Sequence, residues 1–271
     1  DDGLSSGLLQ RWQAEGLGTG LVRRLPGRLP GLYLIEVDEQ GERRFSYWRD
    51  QSAARDYFDA PEGGTPLEQE AATLDALYFS GISLAILPLA GRQRLLAVAR
   101  RVRAQGGLVA FDNNYRPRLW PDVATARSAF AAATAVATLA LMTLDDEQAL
   151  WGEADANAQL QRTLAAPSAE VVVKRGAAPT VVRLAGQPVA EVPTLPVAEV
   201  VDTTAAGDSF AGAYLAARLD GASAVHAAAA GNRLAARVVQ HRGAVLPESA
   251  MVDLMGLMSG RTAGREGPGP R

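Results

Sequence analysis

The sequence of 271 residues contains no cysteine, two histidines and a single lysine, Lys174. The lack of cysteine excludes disulfides and thiolate metal sites and, with so few histidines, leaves little from which to build a transition-metal centre. No apolar run reaches the length of a transmembrane helix, and the acidic and polar residues 1–6 do not resemble a signal peptide. We therefore expect a cytoplasmic protein that does not act at a membrane.

Charge of neither sign is in large excess. The 27 lysines and arginines oppose 30 aspartates and glutamates, which gives a formal net charge of −3. Such a balance provides no strongly basic surface for nucleic acid or an anionic membrane, so a small molecule is the expected partner. The length allows one large domain or two modest ones, and 48% hydrophobic residues suffice for a buried core.

Three common active-site motifs are missing or incomplete. A P-loop is excluded because the sole lysine is followed by arginine. Residues 3–7 satisfy the spacing of a hydrolase nucleophile elbow, but no predicted strand precedes them. Residues 16–20 depart from the spacing of the dinucleotide fingerprint and are not framed by a strand and a helix, which indicates a turn.

An anion-binding pattern is present at residues 202–210, between a hydrophobic run and a small-residue helix. Small residues at Ala205, Ala206 and Gly207 let backbone amides approach an anion closely, and a helix that begins there directs unpaired N–H groups at it. A carboxylate beside such a site, here Asp208, is suited to accept the proton of an attacking hydroxyl. The segment therefore predicts phosphoryl transfer with Asp208 as the base.

The hydrophobic pattern predicts a β-hairpin followed by alternating strands and helices. The hairpin pairs residues 32–37 with 43–49 across a turn at 38–41. An extended segment is predicted at 19–24, further strands at 74–80, 107–112, 135–142 and 171–174, and a second hairpin from 179–184 and 188–193. Helices are predicted at 8–16, 92–105, 121–134, 207–219 and 222–240, with two short helical pieces after 142. This order favours a parallel sheet flanked by helices, with the early hairpin as a separate lid.

Residues 202–210 resemble the C-terminal signature of the ribokinase-like (PfkB) carbohydrate kinases, Asp-Thr-x-x-Ala-Gly-Asp-x-Phe. Segments 31–36 with 43–49, and 232–234 with 241–244, are similar to those of the family's 2-keto-3-deoxygluconate kinases. The resemblance runs in order from residue 1 to about residue 250. It implies an α/β fold, a ribokinase-like three-layer α/β/α sheet with a small β-strand lid.

The domain organisation implied is a kinase domain over 1–259, with the lid hairpin at about 31–50 and a disordered tail, rich in glycine, proline and arginine, at 260–271. The family's first strand and its Gly-Gly-Asp/Asn substrate segment have no counterpart here. We therefore expect a chain that lacks this N-terminal part of the family's fold.

The resemblance implies ATP-dependent, Mg²⁺-dependent phosphorylation of 2-keto-3-deoxy-D-gluconate to the 6-phosphate. Asp208 would accept the hydroxyl proton, and the amides of Ala205, Ala206 and Gly207 would stabilise the developing charge. After the strand that ends at residue 111, the family's Asp-x-Asn-x-Arg is matched by Asp112, Asn114 and Arg116. The family places the arginine near the sugar acid and the transferred phosphate, whereas Asp112 and Asn114 have the alternative role of capping a loop.

The lid residues Tyr47 and Arg49 alternate with Trp48, so the two-residue period of a strand predicts that they share one face. The resemblance implies that Tyr47 and Arg49, with a backbone contact near Tyr33, hold the hydroxyls and carboxylate of the sugar acid. An exposed hairpin also offers a surface for a homo-oligomer through strand pairing.

The nucleotide contacts implied by the resemblance come from later segments. Lys174, Arg175, Gly176 and Ala177 match the family's Lys-Arg-Gly-Ala along the phosphates and ribose, Asn114 belongs to the same cofactor set, and Asn232 would line the adenine pocket unless it is interior helix packing. Glu147 fits the glutamate of the family's Asn-x-x-Glu, which organises magnesium through water. Two positions depart from the family, Leu144 for asparagine and Ala178-Pro179 where a second glycine is usual.

Two alternatives stay open beside the sugar-acid kinase. The first is a kinase of the same family for a neutral sugar such as fructose or ribose. The second is a catalytically silent nucleotide-binding or sugar-binding fragment, motivated by Leu144, Pro179 and the missing N-terminal segment.

Overall fold

The computed structural model describes residues 1–37, 43–247 and 250–251. The predicted turn at 38–41 and the predicted tail at 260–271 lie outside the described residues. The chain divides into two compact units, which are described separately. The first comprises Asp1–Ala140, Asp146–Glu153 and Ala166–Ser168, and the second comprises Leu141–Asp145, Ala154–Ala165 and the chain from Ala169 onward.

Helices and strands alternate along most of the described chain, as an α/β fold requires. The helices are α1 (Gly3–Ala14), α2 (Pro66–Glu70), α3 (Gly81–Ile86), α4 (Leu89–Ala104), α5 (Val123–Val136), α6 (Leu144–Trp151), α7 (Ala156–Leu164), α8 (Ala206–Leu219) and α9 (Ala224–Val238). The strands are β1 (Leu32–Val37), β2 (Arg43–Trp48), β3 (Ala76–Ser80), β4 (Leu108–Asp112), β5 (Leu139–Thr143), β6 (Glu170–Arg175), β7 (Ala178–Leu184) and β8 (Ala190–Val192). No helix in the described part of the chain is long and apolar enough to cross a membrane.

In the first unit, β1 and β2 form an antiparallel sheet of two strands, separate from the other strands. The register sets Leu32 opposite Trp48 and Tyr33 opposite Tyr47. Because neighbouring residues of a strand point to opposite faces, the two tyrosines share one face and the Leu32–Trp48 pair lies on the other. The predicted hairpin is confirmed, although its second strand ends at Trp48, one residue before Arg49.

Strands β3 and β4 run parallel, and Ser80 at the end of β3 lies beside Asp112 at the end of β4. The next residue, Gly81, packs closely under the loop that follows β4. A Cβ atom on Gly81 would lie 2.1 Å from the carbonyl oxygen of Asn113, so only glycine fits there. This contact positions the polar segment that follows β4 against the residue that follows β3.

A network around Arg94 of α4 anchors the loop before α2. Its guanidinium donates to the carboxylate of Glu68 at 2.5 and 2.7 Å and to the carbonyls of Phe58 and Ala60 at 2.6 and 2.7 Å. Glu68 also caps α2 in a reciprocal pair of hydrogen bonds with Thr65. The hydrogen bonds from Arg94 lower the pKa of Glu68 to about 2.

In the second unit, β6, β7 and β8 form an antiparallel meander, with Glu170 opposite Leu184 and Thr180 opposite Val192. Parallel and antiparallel pairs therefore both occur, so the sheet structure is mixed, and the second hairpin predicted from residues 179–184 and 188–193 is confirmed as β7 and β8. Strand β7 returns antiparallel to β6 because the two-residue turn at Gly176 and Ala177 is too short for a parallel connection.

Helices α8 and α9 pack through Phe210, whose ring contacts the backbone of Gly231. A Cβ atom on Gly231 would lie 2.6 to 2.9 Å from three ring carbons of Phe210. The Phe210 ring is in turn stacked on that of Tyr214, with 5.9 Å between the centroids. The beginning of α8 is therefore seated on α9 by a contact that a methyl group would disrupt.

The other end of α8 is tied to β6 by a buried carboxylate. Glu170 accepts hydrogen bonds from the Tyr214 hydroxyl and from Nε and Nη2 of Arg218, the latter two at 3.0 and 2.8 Å. Burial, reinforced by the negative charge of Glu170, raises the pKa of Tyr214. Both ends of α8 are thus positioned by specific contacts within this unit.

Residues 19–24, predicted to be extended, belong to none of the strands, and side-chain hydrogen bonds attach the segment to residues 56–57. The Tyr57 hydroxyl donates to the Leu21 carbonyl at 2.9 Å, and Arg23 donates to the carbonyls of Asp56 and Tyr57. Helix α1 begins at Gly3, five residues before the predicted start, because Asp2 caps it by accepting from the amides of Leu4 and Ser5.

Candidate active site

The predicted sugar-binding side chains of the hairpin lie together in the first unit. The rings of Tyr33 and Tyr47 have centroids 6.3 Å apart, and the guanidinium carbon of Arg49 lies 4.3 Å from the Tyr47 ring centroid. About half of each tyrosine is exposed, 49% and 45%. The face shared by Tyr47 and Arg49 therefore presents two phenols and one cation to solvent, a combination that can donate hydrogen bonds to hydroxyls and a carboxylate.

Gly31 accounts for the close approach of the two ends of this hairpin. A Cβ atom on Gly31 would lie 3.1 Å from Cβ of Arg49 and 3.4 Å from Cβ of Ser52. A larger residue would therefore push Arg49 away from β1. Gly31 lies in the segment whose sequence resembles the family, and this packing role could not be predicted from that resemblance.

The segment after β4 is shaped by two buried polar side chains. The Tyr78 hydroxyl donates to Oδ2 of Asp112 at 3.1 Å, and Nδ2 of Asn113 donates to Oε1 of Glu147 at 3.1 Å. The Asn113 side chain also accepts from the amide of Asn114 at 2.8 Å. Asn114 itself has a φ of +31°, a sparsely populated conformation that non-glycine residues adopt mainly at turns and functional sites.

Arg116 is held by Asp146, a residue that the sequence analysis passed over. Nη1 of Arg116 lies 3.4 and 3.5 Å from the two carboxylate oxygens of Asp146 and 2.7 Å from the carbonyl of Tyr115. Oδ2 of Asp146 also accepts from the Tyr115 amide at 3.2 Å. Because one carboxylate contacts both the guanidinium and the adjacent backbone, Asp146 orients Arg116.

Glu147 is the predicted magnesium residue, and its carboxylate is buried. Oε1 accepts from Asn113 and Oε2 accepts from Nε1 of Trp151, both at 3.1 Å. Among the described residues no group of three or more acidic or histidine side chains could hold a metal ion. A single carboxylate still fits Mg²⁺, which is commonly bound through water and substrate phosphates with one or two carboxylates.

In the second unit, the predicted anion-binding segment begins helix α8. Ala205 precedes the helix with a φ of +60°, the left-handed conformation that glycine adopts more readily. Gly207 and Asp208 lie exposed in the first turn. First-turn amides carry the positive end of the helix dipole, although that of Ala206 donates to the Thr203 carbonyl at 3.3 Å. An anion site at Ala205, Ala206 and Gly207, with the carboxylate of Asp208 beside it, stays a prediction.

The start of this segment is held by Asp202, which is almost fully buried. Oδ1 accepts from the amide of Thr204 at 2.7 Å, and Oδ2 accepts from the amide of Gly243 at 2.9 Å. The carboxylate thus links the anion-binding segment to the chain after α9. This explains why the sequence similarity at 241–244 accompanies the signature at 202–210.

Residues 174–177 lie at the end of β6 and in the turn to β7. The exposed fraction of Lys174 is 9%, and its Nζ lies 3.7 Å from the point that a Cβ atom on Gly207 would occupy. Arg175 instead donates from Nε to the Pro179 carbonyl at 2.6 Å and from Nη2 to Glu191 at 3.3 Å. The structure therefore brings Lys174, and not Arg175, next to the first turn of α8.

Asn232 is buried between α9 and the meander. Its Oδ1 accepts from the hydroxyl of Thr180 at 2.8 Å, and its Nδ2 donates to the carbonyls of Val192 and Pro193 at 3.3 and 3.0 Å. These contacts tie α9 to β7 and β8. An adenine contact by Asn232 stays a prediction beside this packing role.

Comparisons with known proteins agree with the resemblance. A model of the pfkB family carbohydrate kinases matches residues 1–251. The 2-dehydro-3-deoxygluconokinases of Dickeya dadantii (strain 3937) and Escherichia coli (strain K12) are 50% and 46% identical over 252 residues, 92% of this chain and 81% of each relative.

The fold is shared with solved kinase structures. The structure of aminoimidazole riboside kinase from Salmonella enterica, complexed with aminoimidazole riboside and an ATP analog, aligns with a TM-score of 0.74 at 23% identity and covers 94% of this chain and 82% of that chain. The α/β, ribokinase-like fold expected from the sequence is confirmed. The chain belongs to the pfkB family of carbohydrate kinases.

Proposed function

We propose that this protein transfers the γ-phosphoryl group of ATP to 2-keto-3-deoxy-D-gluconate, also called 2-dehydro-3-deoxygluconate, and forms the 6-phosphate. The observation that carries the proposal is the exposed Asp208 in the first turn of α8, beside the small residues 205–207. The relatives at 46% and 50% identity bear the name of this activity and support the choice of sugar.

In the proposed reaction, Asp208 accepts the proton of the attacking sugar hydroxyl. The amides of Ala205, Ala206 and Gly207 donate to the oxygens that gain charge, and Arg116 neutralises part of the phosphate charge. Mg²⁺, when bound with ATP, offsets the charge of the phosphates, and Glu147 would hold it through water. Transfer of this kind depends mainly on positioning and electrostatics, so Asp202 and Asp146, as orienting carboxylates, support the reacting groups.

We propose that Tyr33, Tyr47, Arg49 and Arg116 bind the sugar acid. Two phenols and a guanidinium on one exposed face suit a ligand with several hydroxyls and one carboxylate. Nucleotide contacts are proposed for Asn114 and Asn232 and for Lys174, Arg175, Gly176 and Ala177.

A substrate panel tests this function. Release of ADP is measured with Mg-ATP and 2-keto-3-deoxygluconate, fructose or ribose, and turnover is expected with the keto-deoxy acid. Arg49→Met should raise KM for the acid by about tenfold or more, because a charge-assisted contact contributes about 1.5–3 kcal/mol, and should leave any activity on neutral sugars unchanged. Arg100→Met, at an exposed arginine of α4, is the matched control.

The panel also separates the other functions. Turnover with fructose or ribose that exceeds turnover with the acid would indicate a neutral-sugar kinase. Binding of ADP without turnover of any sugar would indicate a silent binding protein.

We also propose a homo-oligomer formed through the hairpin, in a cytoplasmic protein without cysteine. The face of the hairpin opposite the tyrosines exposes Leu32, Leu34 and Trp48, at 56%, 50% and 60%. Apolar side chains that lie together on one exposed strand face favour association. Sedimentation compares the mass of the unchanged protein with that of Trp48→Glu. The unchanged protein should sediment as an oligomer and Trp48→Glu as a monomer, and a monomer mass for both would contradict the proposal.

A further inference from the structure

The single lysine stands where the chain could have used arginine. Arginine supplies 26 of the 27 basic residues, so lysine has been retained at one position only, residue 174. Lysine and arginine differ in shape, because lysine ends in a compact ammonium and arginine in a planar fork with five donors. Lys174 is thus the one position at which this sequence uses the compact ammonium.

The position of Lys174 in the second unit places its ammonium beside the start of α8. Its side chain is almost buried along β6, and Nζ lies 3.7 Å from the point that a Cβ atom on Gly207 would occupy. Gly207 is exposed in the first turn of α8, directly before Asp208. A full positive charge and the positive end of the helix dipole are thus adjacent, at the place where the anion-binding amides are.

The neighbouring arginine shows the contrast. Arg175 lies along β7 and β8, where its guanidinium contacts the Pro179 carbonyl and Glu191. Of these two neighbouring side chains, that of Lys174 is the one next to the first turn of α8. A guanidinium at 174 would be longer and would need a flat space against the Gly207 backbone, which the ammonium does not need.

We propose that Lys174 is a catalytic residue whose ammonium contacts the phosphoryl group while it is transferred, an inference that rests on the kinase reaction proposed above. The bond from the γ-phosphorus to the bridging oxygen breaks, and its electron pair stays on ADP. The sugar hydroxyl oxygen forms the new bond to phosphorus, and Asp208 takes the hydroxyl proton. Lys174 stays protonated throughout and stabilises charge on the oxygens of the phosphoryl group.

Kinetics of Lys174→Met and Lys174→Arg test this role. Lys174→Met should lower kcat by about 10²-fold, the usual loss when one donor to the developing charge is removed. Lys174→Arg keeps the charge in the longer, planar guanidinium and should not restore the kcat of the unchanged protein. The Kd for Mg-ADP, which lacks the transferred group, should change by less than about threefold. Arg183→Lys, an exchange between the same two residue types on β7, should retain kcat. A kcat of Lys174→Met within about threefold of the unchanged protein would overturn the proposal.

A second measurement uses the unchanged protein and does not depend on turnover. Lysine labelled with carbon-13 at Cε gives one side-chain resonance, because the chain has one lysine. Mg-ADP with aluminium fluoride, which mimics the phosphoryl group in transfer, should shift this resonance further than Mg-ADP alone. Identical spectra for the two additions would overturn the proposal.

The kinetic and the resonance measurements together distinguish a wrong role for Lys174 from a wrong kinase function. If the unchanged protein turns over the sugar acid and Lys174→Met does so equally well, the role of Lys174 is wrong and the function stands. If no sugar is turned over, the proposed function fails, and the resonance still decides whether Lys174 contacts a phosphoryl mimic.

Discussion

Replacing Gly231 with alanine should destabilise the protein, whereas the same change at Gly212 should stabilise it. Both glycines lie inside helices, where alanine is favoured by about 1 kcal/mol. At Gly212 the added Cβ atom meets nothing within 4 Å, so the full gain is expected. At Gly231 the Cβ atom would lie 2.6, 2.7 and 2.9 Å from ring carbons of Phe210.

The Phe210 ring has little room to move, because it is buried and stacked on Tyr214. Overpacking of this kind costs about 1–3 kcal/mol, and three contacts under 3.0 Å place Gly231→Ala at the upper end. After the gain in helix propensity is subtracted, the net loss should be about 1–2 kcal/mol. Because Phe210 lies two residues after Asp208, kcat should fall as well.

Urea unfolding followed by circular dichroism measures both variants. The expected result is a lower midpoint for Gly231→Ala and a higher midpoint for Gly212→Ala, with similar slopes. Phe210→Leu combined with Gly231→Ala should recover part of the loss, because the smaller side chain vacates the overlapping volume. An equal stabilisation by both alanines would refute the packing argument.

Four other perturbations test three further parts of the structure. Ala205→Gly should stabilise by up to about 1 kcal/mol, since it relieves a φ of +60°, and a lower urea midpoint would contradict this. The free energy of unfolding should fall as pH decreases from about 4.5 toward about 2, because the fold lowers the pKa of Glu68 from 4.5 to about 2. In Glu68→Gln this contribution to the pH dependence of the free energy of unfolding should be absent. Arg94→Met, which leaves that carboxylate buried without its cation, should cost about 3 kcal/mol in urea unfolding. Asp146→Ala should lower kcat about tenfold by releasing Arg116, with an unchanged urea midpoint, and full turnover would refute its orienting role.

The elements with a strong local signal were predicted correctly. The hairpin of β1 and β2 has turn-forming residues between two strand-like runs rich in aromatic or aliphatic residues, and β4 and β6 are buried runs bounded by glycine or charge. Helices α2 and α3 were missed because they have five and six residues, too few to show a helical period. Capping by Thr65 and Ser80 was the available signal.

The candidate site was predictable where a short motif carries the chemistry. The position of Asp208 and of the small residues 205–207 at the start of α8 follows from the sequence, because the motif and the beginning of the helix are adjacent in the chain. The supporting residues Asp146, Asp202 and Gly231 act through partners 30 or more residues away along the chain, or through contacts between helices. Such roles depend on tertiary packing, which a single sequence does not display.

Turnover of 2-keto-3-deoxygluconate by Asp208→Asn, compared with the unchanged protein, tests the central claim most directly. Asparagine keeps the size of the side chain and cannot accept the hydroxyl proton, so kcat should fall by about 10²-fold or more. Asp220→Asn, at the other end of the same helix, should retain turnover and provides the matched control. Turnover of Asp208→Asn equal to that of the unchanged protein would contradict the account.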